Sequence, residues 1–154
     1  MLVTIMTDAS VDNDMKIGGF GYWIASDRAK KGGGGELKSP INDSYDGELK
    51  AVVNTLHLAI RDLYVHRKDT VLIQLDNKPV VDVLTKRKLI HRKELQPALN
   101  HFLYLVQEFE LKVIVKHVKG HTDSRAGKRF AANNLCDEKA KFYMRRLRQQ
   151  LTCI

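Results

Sequence analysis

Four acidic residues stand where a carboxylate needs a reason to be. Asp8 follows the apolar run Leu2 to Met6 and Thr7, and Asp76 follows the run Val71 to Leu75. Runs of this kind form strands in the middle of a sheet. A carboxylate placed there resists burial unless a cation or hydrogen-bond donors answer its charge. The ends of central strands are also where ligands gather in open α/β sheets. Glu48 falls in the first turn of an expected helix, and Asp137 near the start of the last one. Each position has an ordinary structural reading as well. Asp8 and Asp76 can begin turns or cap the next element, and acids near helix starts are favoured by the helix dipole. Taken singly, the four acids leave both readings open.

The basic residues narrow the choice of partner. Lys and Arg number 26 against 18 Asp and Glu, a net charge of +8, and the isoelectric point is near 9.5. A surplus of this size in a small domain points to a polyanion, because each phosphate neutralised releases counterions. The cations are clustered. Lys86, Arg87, Lys88, Arg92 and Lys93 crowd one short stretch with His91 among them; Lys116, Lys119, Arg125, Lys128 and Arg129 bracket an expected loop. A third set, Lys139, Lys141, Arg145, Arg146 and Arg148, lies on the last helix. No apolar run approaches the roughly 20 residues that cross a bilayer, and the opening residues do not read as a signal peptide. Cys136 and Cys153 form no disulfide framework or metal-finger spacing, so reduced thiols in a cytoplasmic protein with no membrane partner are expected.

The elements that must position these residues can be read in order. Leu2 to Met6 is a first strand ending at Thr7-Asp8, and Lys16 to Ser26 a second whose glycines leave room for close backbone approach. Gly32 to Gly35 lacks the lysine, hydroxyl residue and following helix of a phosphate loop. It therefore reads as a flexible hairpin tip, with Glu36 to Ile41 as the returning strand. Leu49, Val52, Val53, Leu56, Ile60 and Leu63 recur at helical spacing, with Ser44 or Asp46 as the cap. Val71 to Leu75 is a strand, Pro79 to Leu84 a short helix, and Leu95 to Phe109 an amphipathic helix. Leu111 to Val118 is a fifth strand, and Cys136, Ala140, Tyr143, Leu147 and Leu151 mark one face of the last helix. This order predicts an α/β domain over residues 1–154, a mixed sheet with helices on both faces.

In that order the acids sit within recognisable motifs, and the chain resembles the type 1 ribonuclease H family. Thr7-Asp8-Ala9-Ser10 is similar to the family's T-D-G-S, and Gly18-Gly19-Phe20-Gly21 to its G-G-x-G strand. Glu48-Leu49 opens the long helix as the second acid does, and Gln74-Leu75-Asp76 matches the third. Val118-Lys119-Gly120-His121 reads as V-K-G-H, and Cys136-Asp137-Glu138 as the C-D-E around the fourth acid. Any one motif is weak, but the ordered set spans essentially the whole chain. The resemblance implies a ribonuclease H-like fold, a five-stranded mixed sheet flanked by helices. It implies an endoribonuclease that cuts the RNA strand of an RNA–DNA hybrid, leaving a 5′-phosphate and a 3′-hydroxyl. It also implies two Mg²⁺ ions, with Mn²⁺ as a substitute. Asp8 would bridge them, Glu48 and Asp76 would complete the first site, and Asp137 would help the second. His121 would assist proton movement or product departure.

The chain departs from the family where the sugar is read. Many members carry two asparagines before the helix acid and a glutamine after the third acid, where this chain has Ser44, Tyr45 and Lys78. Ala9 replaces the usual glycine. The family's basic protrusion is trimmed to Thr85 through Glu94, leaving Lys86, Arg87, Lys88, Arg92 and Lys93 as candidate nucleic-acid contacts. The segment between His121 and Asp137 is longer than in bacterial relatives and carries Arg125, Lys128 and Arg129; with Lys119 it is expected to touch phosphates. Two other functions compete. One is a nuclease of the same fold acting on DNA or double-stranded RNA, which the altered sugar-reading positions suggest. The other is a silent nucleic-acid-binding module, against which the retention of all four acids argues. Nothing demands more than a monomer.

Overall fold

A computed structural model describes residues 1–86, 92–118 and 128–153. Five strands form one sheet: β1 (Leu2–Asp12), β2 (Ile17–Ala25), β3 (Lys30–Leu37), β4 (Thr70–Leu75) and β5 (Lys112–His117). Their order across the sheet is β3-β2-β1-β4-β5, with β1 in the middle. The first three strands are antiparallel to one another, whereas β4 runs parallel to β1 and β5 parallel to β4. The helices are α1 (Ser44–Arg61), α2 (Lys78–Lys86), α3 (Gln96–Glu108, entered through a 3-10 turn at Lys93–Leu95) and α4 (Lys128–Thr152). The predicted mixed α/β sheet flanked by helices is what forms.

Alternation along β1 sends side chains to two faces. Val3 and Ile5 join Leu49, Val52, Leu56, Leu99 and Phe102 in the main core with α1 and α3. Met6 faces the other way, into a smaller cluster with Val118, Ala132 and Cys136 beneath α4. No described helix is long and apolar enough to cross a membrane.

Several local expectations are corrected. The glycines of 32–35 are no hairpin tip: they lie inside β3, paired with Phe20 through Trp23 of β2, and the turn falls earlier, at Ser26–Ala29. There is little room for side chains on that strand. A Cβ at Gly33 would sit 2.6 Å from the Tyr22 hydroxyl and one at Gly32 2.6 Å from Leu135. β1 does not stop at Asp8 but continues to Asp12, because β2 pairs with it that far. The cap of α1 is Asp43, which accepts from the Asp46 amide. Asp46 is instead buried, accepting from Asn42 and pairing with Lys50 at 3.0 Å. Leu63 lies beyond the helix, exposed and left-handed at φ 66°. On α4 the buried positions run Ala132, Cys136, Ala140 and Met144, while Leu151 is exposed.

A partly buried ion pair ties the β2–β3 turn to the start of β4. Arg28 donates twice to Asp69, at 2.7 and 2.8 Å, and the His66 amide donates to the same carboxylate. The Arg28 guanidinium holds the Asp69 carboxyl down at about 2 against an ordinary 3.8. A depressed carboxyl stabilises the fold above its unfolded value and loses that contribution as pH falls from about 4 to 2. The difference corresponds to about 2 kcal/mol. Urea unfolding should therefore show the wild type losing stability across that window, and Asp69→Asn should be weaker at pH 5 and flatter below it.

Candidate active site

Asp8 sits where the sheet opens. The parallel register of β1 on β4 ends at Met6 opposite Gln74, and β4 itself ends at Leu75. Beyond that point β1 keeps only its β2 partner, with Asp8 opposite Gly21. Continued two residues, the β1–β4 register would set Asp8 level with Asp76. The turn after β4 does not consume Asp76, because the next residue caps α2: the Asn77 side chain accepts from the Val80 amide. Asp76 is thus released from structural duty. Its carboxylate is half-exposed and lies 3.3 Å from Nε2 of His117 at the end of β5.

Glu48 is not in the first turn of α1, as expected, but one residue beyond it, past the cap that Asp43 makes by accepting from the Asp46 amide. Its carboxyl is buried and points at β1. The Ala9 amide donates to Oδ1 of Asp8 at 2.9 Å and to Oε1 of Glu48 at 3.1 Å, so one backbone N–H holds two carboxylates. Alanine does this as well as glycine would. The second oxygen of Glu48, Oε2, is buried without a donor.

Asp137 is no helix-start residue either. α4 begins at Lys128, so Asp137 stands well inside it, away from the dipole's positive end. Its position follows from how closely α4 lies on the sheet. A Cβ on Gly21 would fall 2.1 Å from the Cys136 carbonyl oxygen, so only glycine lets the helix backbone down at this point. The Cys136 thiol donates to the Met6 carbonyl at 3.5 Å and pins the contact. Burial, then the charges of Asp8, Glu48 and Asp137, push that thiol well up, so it is an inert anchor. Asp137 pairs with Lys141 one turn along at 3.0 Å.

The result is a cleft of about 220 Å³ lined by Thr7, Asp8, Ala9, Asp76, Asn133, Cys136 and Asp137. Asp8 is its centre, close enough to both the Glu48 and the Asp137 carboxyls to feel them electrostatically. Burial pushes the Asp8 carboxyl up to about 6, and the charge of Asp137 adds to the rise. Glu48 is raised well above its ordinary value, first by burial and then by the charge of Asp8. Crowded anions of this kind are satisfied by a shared proton or by a cation. The oxygen-only donor set and the orphaned Glu48 oxygen fit a hard divalent ion. Among the described residues, no three His, Cys, Asp or Glu side chains yet converge closely enough to hold one ion together. Asp76 and Asp137 are turned toward His117 and Lys141 instead.

Of the other sequence candidates, Ser44 and Lys78 are exposed at the starts of α1 and α2. Tyr45 is partly buried against the core, with the Arg92 guanidinium 5.2 Å over its ring. Arg92 is itself engaged by Asp43 and Glu94, each at 2.8 Å. Lys86 ends α2, and Lys93 opens the 3-10 turn. His121, Lys119, Arg125, Arg87 and Lys88 lie outside the described residues, as do the side chains of Lys128 and Arg129. The sequence reading leaves room for close backbone approach at the β2 glycines, but it does not single out the Ala9 amide, the Asn77 cap, His117 or the pairing of Lys141 with Asp137. The Asn after Asp76 and the i,i+4 spacing of Asp137 and Lys141 were the available signals.

Known proteins share this architecture. The chain superimposes on RNase H1 of the halophilic archaeon Halobacterium salinarum with a TM-score of 0.69 at 18% identity, covering 93% of this chain and 97% of that one. The N-terminal RNase H domain of a Mycobacterium tuberculosis protein, solved as a maltose-binding-protein fusion, gives 0.70 at 17%, covering 97% and 98%. LC11-RNase H1 in complex with an RNA/DNA hybrid gives 0.61 at 16%, covering 90% and 96%. These similarities concern the fold. Comparison with curated protein sequences finds no match. The sequence profile of RNase H matches residues 2–144, a span that contains every strand and all four acids, and the chain therefore belongs to the RNase H family.

Proposed function

We propose that this protein hydrolyses the RNA strand of an RNA–DNA hybrid, using Asp8, Glu48, Asp76 and Asp137 to hold two Mg²⁺ ions. The observation that carries the proposal is the placement of Asp8 between the Glu48 and Asp137 carboxyls at the open centre of the sheet. The structural likeness to an RNase H1 solved with a hybrid supports the substrate class. Bound Mg²⁺, or Mn²⁺ in its place, would make water nucleophilic and neutralise the departing oxygen. The chain's own work is positional. The Ala9 amide fixes Asp8 and Glu48 together, Cys136 and Gly21 bring Asp137 down to them, and Asn77 frees Asp76. Water attacks phosphorus, the bond to the 3′ oxygen breaks, and the products are a 5′-phosphate and a 3′-hydroxyl.

Lys141 acts as a stand-in cation for Asp137 on this account, and His117 is the neighbour of the Asp76 carboxylate. Lys141→Met removes a competitor for the Asp137 carboxylate, so the Mg²⁺ concentration for half-maximal cleavage should fall by about threefold, in keeping with an exposed pair worth up to about 1 kcal/mol. A Mg²⁺ titration of the initial rate checks this; an unchanged midpoint would remove Lys141 from the site.

Sugar discrimination rests on Ser44 and Lys78, which are exposed at the starts of α1 and α2, because the Tyr45 ring is occupied by Arg92. End-labelled RNA–DNA, RNA–RNA and DNA–DNA duplexes of one sequence test the substrate class. Cutting confined to the RNA of the hybrid is expected. Cutting of DNA or of double-stranded RNA at comparable rates would keep the catalytic site and replace the substrate.

A further inference from the structure

Between α1 and α3, on the flank of the domain, lies a pair of histidines that the cleft does not use. His57 on α1 and His101 on α3 are both exposed at one rim, and their ring centroids are 5.2 Å apart with planes inclined at 67°. They line an open groove of about 610 Å³ with Lys38, Lys50, Asn54 and Pro97. Apart from their contact with each other, neither ring has a hydrogen-bonding or ionic partner among the described residues. His57 follows Glu48 by nine positions, which sets it roughly 13 Å farther along the helix axis. The groove is therefore separate from the acidic cleft.

The separation of the rings has a chemical meaning. Metal–nitrogen bonds of about 2.0–2.1 Å at a tetrahedral angle, with roughly 1.1 Å from nitrogen to ring centre, put two imidazole centroids about 5.2 Å apart. A right-angled pair, as in octahedral coordination, would bring them to about 4.5 Å. The terminal torsion of a histidine is broad, so the rings can turn a nitrogen toward a common point at little cost. Burial, followed by the neighbouring His57, lowers the His101 value, which favours the neutral, ligating form. The two α1 cations bordering the groove are already engaged, Lys50 by Asp46 and Arg61 by Asp62.

We propose that His57 and His101 form a two-histidine site for a tetrahedral divalent metal of the zinc class, with water in the remaining positions. The ion would join α1 to α3 through its own bonds and so brace the helix that carries Glu48. Imidazole selects such borderline ions over Mg²⁺, so this site and the carboxylate cleft would take different metals.

The test is Zn²⁺ titration of the whole protein with Mg²⁺ held in excess, read by the thermal midpoint. Co²⁺ absorption in the visible supplies a second readout of tetrahedral nitrogen ligation. Zn²⁺ should raise the midpoint of the wild type, and His57→Gln and His101→Gln should each weaken the binding by at least about tenfold. Both variants should keep Mg²⁺-dependent cleavage, since neither residue touches the cleft. An equal Zn²⁺ response in the variants would overturn the proposal by placing the ion on the carboxylates. No response in the wild type would overturn it as well, leaving the pair as a packing contact.

Discussion

Asp8→Asn should abolish cleavage and at the same time make the metal-free protein more stable. Both effects have one cause. Asp8 is held among carboxylates by the Ala9 amide and by the packing of α4, and burial raises it to about 6. The rise from 3.8 corresponds to charge disfavoured by on the order of 3 kcal/mol, shared with Glu48 because the two groups titrate together. The sign is that of a raised carboxyl. Stability is fully present below about 4 and is lost as pH climbs through 6. The wild type without metal should therefore unfold at a lower temperature at pH 7.5 than at pH 5, and Asp8→Asn should reduce that difference, leaving the part due to the burial of Glu48. Cleavage should fall by at least about a thousandfold, since an ion bound at this position contributes several kcal/mol of charge stabilisation. Thermal melts with EDTA at the two pH values, beside a rate measurement with Mg²⁺, read both halves. A variant that is inactive but less stable than the wild type at pH 7.5 would mean that Asp8 is a structural acid.

The second large effect comes from a residue with no chemistry of its own. Gly21 faces the backbone of α4, and a Cβ there would meet the Cys136 carbonyl oxygen at 2.1 Å, its carbon at 2.8 Å and its Cα at 2.9 Å. These are backbone atoms, which cannot swing aside, so the helix itself must move. Gly21→Ala should cost at least about 1–3 kcal/mol by overpacking, and Gly21→Val more. Because Asp137 adjoins Cys136, the same displacement draws that carboxylate away from Asp8. Urea unfolding and the rate at saturating Mg²⁺ should fall together, and the Mg²⁺ requirement should rise. An alanine variant with wild-type stability and rate would show that α4 does not depend on this contact.

Gly21 also shows how far the sequence could be read. The four acids were visible because apolar strand-forming runs precede Asp8 and Asp76, and because the motifs around all four occur in order. The fold is what removes their structural alternatives. Asn77, not Asp76, takes the cap at α2, Asp43 takes the one at α1, and α4 begins far enough upstream to put Asp137 in its interior. Capping is decided by local geometry that several neighbouring polar residues can satisfy, and a single sequence does not rank them. The glycine run failed for a different reason. Four consecutive glycines carry no side-chain periodicity, so nothing in 32–35 signals an edge strand, and only the rings and helix packed on it explain why side chains are missing there. Cys136 is similar: its motif was recognised, but its thiol-to-Met6 bond is a contact between the two ends of the chain.

The most direct measurement is cleavage of an end-labelled RNA–DNA hybrid in Mg²⁺ or in EDTA, with the product termini identified by mass spectrometry. The account predicts cutting of the RNA strand alone, only with metal, leaving 5′-phosphate and 3′-hydroxyl ends. Cutting that survives EDTA, or that leaves a 2′,3′-cyclic phosphate, would contradict it, because the ribose hydroxyl rather than a metal-activated water would then be the nucleophile.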